Sequence, residues 1–309
     1  MEYDLIIIGG GPAGAAAGVY AARKQIKTLL VAESFGGQSV ESEEIQNWIG
    51  TPAISGIELA KKLKEHVKFY AGKFVEIKEG ERAEEVEKTD QGFSVKTNKE
   101  TYDTKTILIS SGSSRKKLDI AGASEFEGKG ISYCASCDGL FFADKNVAII
   151  GGGNAGFESA AQLLAYCKSV TLMSRGDFRA DPVTIEKVLA NPKMTALANT
   201  TPIEIKGDNF VKSLIYKKNE ASAKNVEIEV DGIFVEIGHI PSTGFAEPIG
   251  IKMNEFKNII VDHKNQRTNI KGIWASGDCT DGLYHQNNIA VGDAIKALED
   301  IYLELQKIK

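Results

Sequence analysis

The feature that most constrains this chain is a local grammar that occurs twice: an apolar run, a glycine-rich turn, a helix and a second apolar run. The first copy is residues 5–8, Gly9-Gly10-Gly11-Pro12-Ala13-Gly14, residues 15–22 and Thr28–Ala32. The second is Asn146–Ile150, Gly151-Gly152-Gly153-Asn154-Ala155-Gly156, residues 157–166 and Ser169–Met173. Short runs without polar alternation suit parallel strands covered on both faces. A βαβ unit of roughly thirty residues is the scale of a dinucleotide-binding fold. There the first glycine permits the tight turn, the second lets backbone approach a pyrophosphate, and the third lets helix and strand pack closely. These roles fall to Gly9, Gly11 and Gly14, and again to Gly151, Gly153 and Gly156. Each following helix aims free N–H groups and the positive end of its dipole at phosphate. The chain therefore reads as α/β, with two Rossmann-like three-layer nucleotide-binding domains, and 309 residues are long enough for both.

The residue ending the second strand of each unit bears on which nucleotide binds. Glu33 stands about twenty residues after Gly14, where a carboxylate can accept from ribose hydroxyls. The corresponding position in the second unit is Ser174, followed by Arg175 and Arg179. A carboxylate there would repel a 2′-phosphate, whereas arginine pairs with one. The acid-bearing site suits FAD, and the arginine-bearing site leans towards NADPH, with NADH possible.

Cys134-Ala135-Ser136-Cys137, followed by Asp138-Gly139, stands just before the second unit. A zinc site would call for two more thiol or imidazole ligands at matched spacing. Cys167 and Cys279 are isolated, and His66, His239, His263 and His285 show no paired spacing, so no metal is expected. A redox dithiol is the better reading, because thiolate is the reactive form and local charge can lower its pKa. Asp138 is placed to exchange a proton with a nearby thiolate, or to cap a turn, and the two roles are compatible. Cys167, Cys279, Trp48 and Trp274 read as core.

The net charge of −5, without a Lys/Arg block, gives no footprint for nucleic acid or an anionic membrane. The opening residues carry no basic leader with a long apolar region, and no apolar run approaches a membrane span. A cytoplasmic protein is expected. Residues 72–99 and 203–235 read as strands, the former antiparallel and the latter with a polar hairpin near 217–225. Residues 105–109 read as a strand and 288–306 as a closing helix.

Taken in order, these motifs resemble low-molecular-weight thioredoxin reductase along nearly the whole chain, and the related flavoprotein component of alkyl hydroperoxide reductase. The matching residues are Gly9 to Gly14, Gly36-Gly37-Gln38, Asn47-Trp48-Ile49-Gly50, Ser110-Ser111-Gly112, Cys134 to Gly139 and Gly151 to Gly156. Residues 232–238 with Pro241, and Gly277-Asp278, complete the set. The resemblance implies a discontinuous FAD domain, residues 1–115 and 244–309, with a nicotinamide domain, 116–243, inserted in it and carrying the cysteine pair. It implies FAD contacts at Pro12, Ala13, Gly36, Gly37, Gln38, Asn47, Gly112, Gly277, Asp278, Gln286, Asn287 and Ile289, and places Asn154 at the second nucleotide. His285, near the flavin, would tune its electronics or cap a loop. It implies that Cys137 lies beside the flavin as the charge-transfer thiolate while Cys134 attacks a protein disulfide, that two domain orientations alternate, and that homodimers are usual.

Three departures bear on the electron donor. Relatives that use NADPH commonly carry His-Arg-Arg-x-x-x-Arg where this chain has Ser174-Arg175-Gly176-Asp177-Phe178-Arg179. Gly156 is often alanine in such relatives. Tyr284-His285-Gln286 is closer to the hydroperoxide reductase flavoprotein, which uses NADH and places a carboxylate where Ser174 stands. The leading expectation is an FAD-dependent thioredoxin-disulfide reductase acting on thioredoxin or a thioredoxin-like protein. The alternatives are a peroxiredoxin-system reductase working through a separate partner module, a ferredoxin-dependent reductase, and a flavin redox sensor with negligible turnover.

Overall fold

The computed structural model describes residues 2–42, 44–220 and 222–308. The chain divides into two compact units, Met1–Ser114 with Ile240–Lys309, and Arg115–His239. In chain order the first opens with β1 (Tyr3–Ile8), α1 (Pro12–Arg23), β2 (Thr28–Ala32), α2 (Gly56–Ala71), β3 (Val75–Glu79), β4 (Ala83–Thr89), β5 (Gly92–Thr97) and β6 (Thr101–Ile109). There follow β7 (Ser113–Arg115), β8 (Ile131–Ser132), α3 (Ala135–Asp138), β9 (Asn146–Ile150), α4 (Asn154–Leu163), β10 (Ser169–Met173), α5 (Pro182–Leu189) and β11 (Met194–Leu197). Then come β12 (Thr200–Gly207), β13 (Val211–Lys218), β14 (Val226–Glu229), β15 (Gly232–Val235), β16 (His239–Pro241), β17 (Ile273–Ala275) and α6 (Asn287–Ile308). The short strands β7 and β16 pair with each other.

The first unit is built on a sheet ordered β3-β2-β1-β6-β5-β4. Strands β3, β2, β1 and β6 run parallel, while β5 and β4 add an antiparallel hairpin on the first half of β6. The second half of β6 takes β17 in parallel. The uninterrupted apolar runs follow from burial on two faces. Leu5, Ile7, Leu30, Ala32 and Leu108 face one core with α1 and α6, while Ile6, Ile8, Leu29, Val31, Ile107 and Ile109 face another. Each of these Leu, Ile and Val side chains, fully buried, contributes roughly 1.5–3 kcal/mol. Small residues let α1 lie close to α6, with Ala15, Ala17, Ala21, Ala294 and Ala297 in one core.

The second unit carries a parallel sheet ordered β11-β10-β9-β15-β8 and a separate antiparallel sheet β12-β13-β14. Phe157, Ala160 and Leu163 of α4 pack on Val147, Ile149, Leu172 and Phe234. The opposite face buries Ala148, Ile150, Met173, Ile233 and Val235.

One expectation needs correction. Residues 72–99 are not all antiparallel, since β3 pairs in parallel with β2 as the edge of the nucleotide-type sheet. Its charged residues are tolerated because an edge strand leaves part of each face to solvent. Residues 203–235 are strands with the hairpin between β13 and β14, and β15 leaves that group and inserts in parallel beside β9. Among the described residues no helix is long and apolar enough to cross a membrane.

Candidate redox and nucleotide sites

In the first unit a cleft of about 620 Å³ opens at the carboxyl ends of β1, β2 and β6, where open parallel sheets take their ligands. Its floor is the first glycine turn, and its geometry excludes side chains. A Cβ on Gly14 would lie 1.8 Å from the Gly9 carbonyl oxygen, and one on Gly9 would lie 2.2 Å from that of Ser110. Helix α1 therefore packs directly on the turn, with Gly11 at its N-cap and Pro12 in its first turn. Gly11 and Gly37 face each other, and a Cβ on Gly37 would sit 3.4 Å from the Gly11 Cα.

Of the residues expected at FAD, the cleft gathers Gly9, Gly11, Pro12, Ala13, Glu33, Gly37, Gln38, Gly112, Gly277, Asp278 and Asn287. Gly14, Gly36, Asn47, His285, Gln286 and Ile289 are not among its lining residues. Asn47 instead donates to Gln286 at 3.0 Å and accepts from the Asn288 amide at 2.7 Å, tying residues 47–49 to the start of α6. Glu33 extends from the end of β2 with its carboxylate 3.5 Å from the Arg82 guanidinium. The cleft also takes walls that sequence reasoning missed: Glu81 to Glu84 at the start of β4, Ser242, Phe245 and Ser276. No local signal marks them, since they arrive through sheet pairing and the returning chain.

These residues fit a bound dinucleotide. The Ser276 hydroxyl is buried in the lining with no protein partner, so it suits a ligand or water contact. The helix end supplies an anion cradle, Glu33 a ribose acceptor, and the volume lies in the usual range for a small-molecule site.

In the second unit the turn repeats the same sterics. Gly151 has φ +144°, and a Cβ there would lie 2.1 Å from the Glu236 carbonyl oxygen; one on Gly156 would lie 2.0 Å from that of Gly151. Gly153 differs, because nothing lies within 4 Å of its would-be Cβ. Asn154 begins α4, and its side chain accepts from the Asp181 N–H at 2.9 Å. Ser174 is buried at the end of β10. Arg175 and Arg179 are both exposed beyond it, and neither guanidinium makes an ion pair among the described residues. Their backbones are fixed, Arg179 donating to the Gly152 carbonyl at 2.8 Å and Arg175 accepting from Asn219 at 2.7 Å.

One residue at this turn carried no sequence signal. Glu236 follows β15 directly, its carboxylate accepts from the Ser159 hydroxyl at 2.6 Å, and burial pushes its pKa up to about 7.

Cys134 and Cys137 are joined by a disulfide. Cys134 is the N-cap of α3, its sulfur accepting from the Cys137 N–H at 3.2 Å. A donor aimed at this sulfur favours its thiolate when the bond opens. Ser132 donates to the Asp138 carboxylate at 2.6 Å and accepts from the Cys134 N–H at 3.1 Å, so Asp138 is coupled to the redox loop through one hydroxyl. Gln162 of α4 anchors the loop from behind, accepting from Ser136 at 3.0 Å and donating to the Ala135 carbonyl at 3.2 Å. Both sulfurs belong to half-exposed residues. Cys167 and Cys279, by contrast, are fully buried, and burial raises each thiol to about 11.

Two nucleotide-type glycine turns and a half-exposed cysteine pair thus occur in one chain, the elements of an oxidoreductase. The chain belongs to the pyridine nucleotide-disulphide oxidoreductase family, whose model matches residues 3–294; the family implies a flavin and a pyridine nucleotide. It is 38% identical over 296 residues to an NADH dehydrogenase of Bacillus subtilis, covering 96% of this chain and 57% of the relative. It is also 38% identical to a component of the alkyl hydroperoxide reductase of Pseudomonas aeruginosa, again over 96% of this chain and 57% of that one. The chain thus spans little more than half the length of these relatives. Among solved structures, thioredoxin reductase from Streptococcus pyogenes matches with a TM-score of 0.89 and 32% identity, covering 99% of this chain and 98% of that one. Thioredoxin reductase from Giardia duodenalis matches with a TM-score of 0.90 and 30% identity, covering 98% and 99%.

Proposed function

We propose that this chain is an FAD-dependent disulfide reductase that passes electrons from NADPH or NADH to the Cys134–Cys137 disulfide and on to thioredoxin or a thioredoxin-like protein. The observation that carries the reading is the accessible Cys134–Cys137 disulfide, with Ser132 linking Asp138 to it, in a chain with two dinucleotide turns. Bound flavin would supply the two-electron relay between nicotinamide and disulfide. The chain's own residues then manage sulfur and proton. Two electrons break the S–S bond, and one proton is needed for each thiolate that becomes a thiol. Asp138 holds and returns that proton, with Ser132 fixing its carboxylate. The Cys134 thiolate attacks a disulfide sulfur of the partner and expels one partner thiolate. Cys137 attacks Cys134 in turn, which re-forms the pair and releases the second partner thiolate.

Arg175 and Arg179 support NADPH as donor, because two unpaired guanidiniums beyond β10 offer partners for a 2′-phosphate. The relatives named for NADH and for alkyl hydroperoxide reductase support a second reading, in which NADH is the donor and the partner belongs to a peroxiredoxin system. Steady-state oxidation of NADPH and NADH, each with oxidised thioredoxin, distinguishes these. Cys134→Ser and Cys137→Ser should each abolish thioredoxin reduction while nucleotide still bleaches the flavin. Full thioredoxin reduction by Cys137→Ser would refute the electron path.

A further inference from the structure

The second unit holds a half-buried acid that the disulfide chemistry leaves unused. Glu236 is the first residue beyond β15, its carbonyl oxygen packs against Gly151 of the glycine turn, and its N–H donates to the Ile150 carbonyl at 2.8 Å. The sheet order β11-β10-β9-β15-β8 fixes what this position faces. Strand β9 feeds the glycine turn, and its two neighbours lie on opposite sides of it. A dinucleotide lies across the crevice at the carboxyl ends of the strands, with its pyrophosphate on the turn. The half that carries the 2′-position lies over β10, at Ser174 and Arg175. The other half, which ends in nicotinamide, therefore lies over the end of β15, at Glu236.

We propose that Glu236 is the residue that receives the nicotinamide half of the dinucleotide, accepting from its carboxamide and favouring the oxidised, positively charged ring when ionised. The inference rests on the reading of the second unit as a nicotinamide site. The side chain is held for that task by Ser159 of α4, which occupies one carboxylate oxygen at 2.6 Å. The groups acting on it are few. Burial holds the carboxyl in its neutral form and Glu158 of α4 reinforces this, while Ser159 and Arg115 of β7 favour the charge. The balance places its ionisation near neutrality, so the site changes charge where the enzyme works. A carboxylate next to an oxidised nicotinamide is an ion pair in a partly desolvated site, whereas next to the neutral reduced ring it has no counter-charge. As pH rises the site comes to prefer the product of hydride donation, which favours donation and slows release of the oxidised nucleotide.

The test is calorimetric titration of the flavin-loaded protein with NAD+ and with NADP+, each paired with the ADP-ribose counterpart that lacks nicotinamide. In wild type, the advantage of whichever oxidised nucleotide binds over its counterpart should grow several-fold between about pH 6 and pH 8.5. Binding of the counterpart should change little. Glu236→Gln should flatten that growth and leave binding of the counterpart intact. Ser159→Ala supplies a check that keeps the acid: losing a donor that favours the carboxylate raises its pKa, so the same growth should appear at higher pH. An advantage that persists with unchanged pH dependence in Glu236→Gln, or that is absent from wild type, overturns the proposal. Failure of wild type to bind any of the four ligands overturns the nicotinamide-site reading itself, and the proposal with it.

Discussion

Gly153 offers a separation of binding from folding that the structure makes quantitative. Its backbone is extended, with φ −93° and ψ −174°, so any L-residue can adopt it, and nothing lies within 4 Å of a Cβ there. Gly153→Ala should therefore leave stability within about 1 kcal/mol of wild type, a gain of about 0.4–1 kcal/mol through the unfolded chain offsetting the loss of a glycine favoured at the α4 N-cap. Gly153→Val should still fold, with at most a small loss of stability from the same cap. Both place carbon where a pyrophosphate must approach backbone, and losing one charge-assisted hydrogen bond of about 1.5–3 kcal/mol weakens binding about tenfold to a hundredfold. Gly151→Ala is the contrasting case. Its φ of +144° is closed to alanine, and its Cβ would lie 2.1 Å from a backbone oxygen. Backbone strain and overpacking together should cost about 2–5 kcal/mol. Thermal unfolding paired with calorimetric titration of NADP+ and NAD+ reads both quantities. Undiminished nucleotide affinity in Gly153→Val, or a large drop in its unfolding temperature, would refute the reasoning about this turn.

Other outcomes follow from the same geometry. Replacing Arg175 and Arg179 by Ala should raise KM for NADPH about tenfold or more, one phosphate contact being worth about 1.5 kcal/mol or more, and leave KM for NADH near its original value; equal effects on both would remove the case for a 2′-phosphate site. Iodoacetamide at about pH 8 should label Cys134 and Cys137 after reduction but spare Cys167 and Cys279 in the folded protein, since burial holds their thiols near 11; mass spectrometry of the peptides checks this. Glu236 has a folded pKa raised from 4.5 to about 7, so the stability it contributes is present below about pH 4.5 and is lost as pH rises through about 7. The stability of Glu236→Gln relative to wild type should accordingly grow between about pH 5 and pH 8, by up to about 3 kcal/mol. Urea unfolding at the two pH values measures it, and a difference that stays constant would contradict the buried-acid account.

The parts of the molecule legible in the sequence are those whose physics is local. A glycine turn between apolar strand and helix, and two cysteines three apart, each fit within a few residues. Pairing partners are not local. The sequence Val-Glu-Ile-Lys-Glu of β3 alternates like a strand of an antiparallel sheet, yet the returning chain sets it parallel beside β2. Strand β15 is fully buried, but nothing within it says that it joins β9 and not the hairpin before it. Helix α2, charged on one face, gave no expectation at all, although Ser55 caps it by accepting from the Glu58 N–H at 3.2 Å. The cleft divides the same way. Gly9, Gly11 and Glu33 were readable from spacing, while Arg82 and Ser276 line it only because sheet order brings them there. Glu236 escaped notice because a single acid at a strand end acquires its character from burial and from Ser159 on another element.

The central claim is that electrons from nicotinamide reach the Cys134–Cys137 pair through flavin. Anaerobic titration of the flavin-loaded protein with NADPH or NADH tests it by counting. A flavin and a disulfide each accept two electrons, so wild type should consume about two equivalents of nucleotide per chain, and Cys137→Ser about one. Equal consumption of about one equivalent by both proteins would mean that the cysteine pair lies off the electron path.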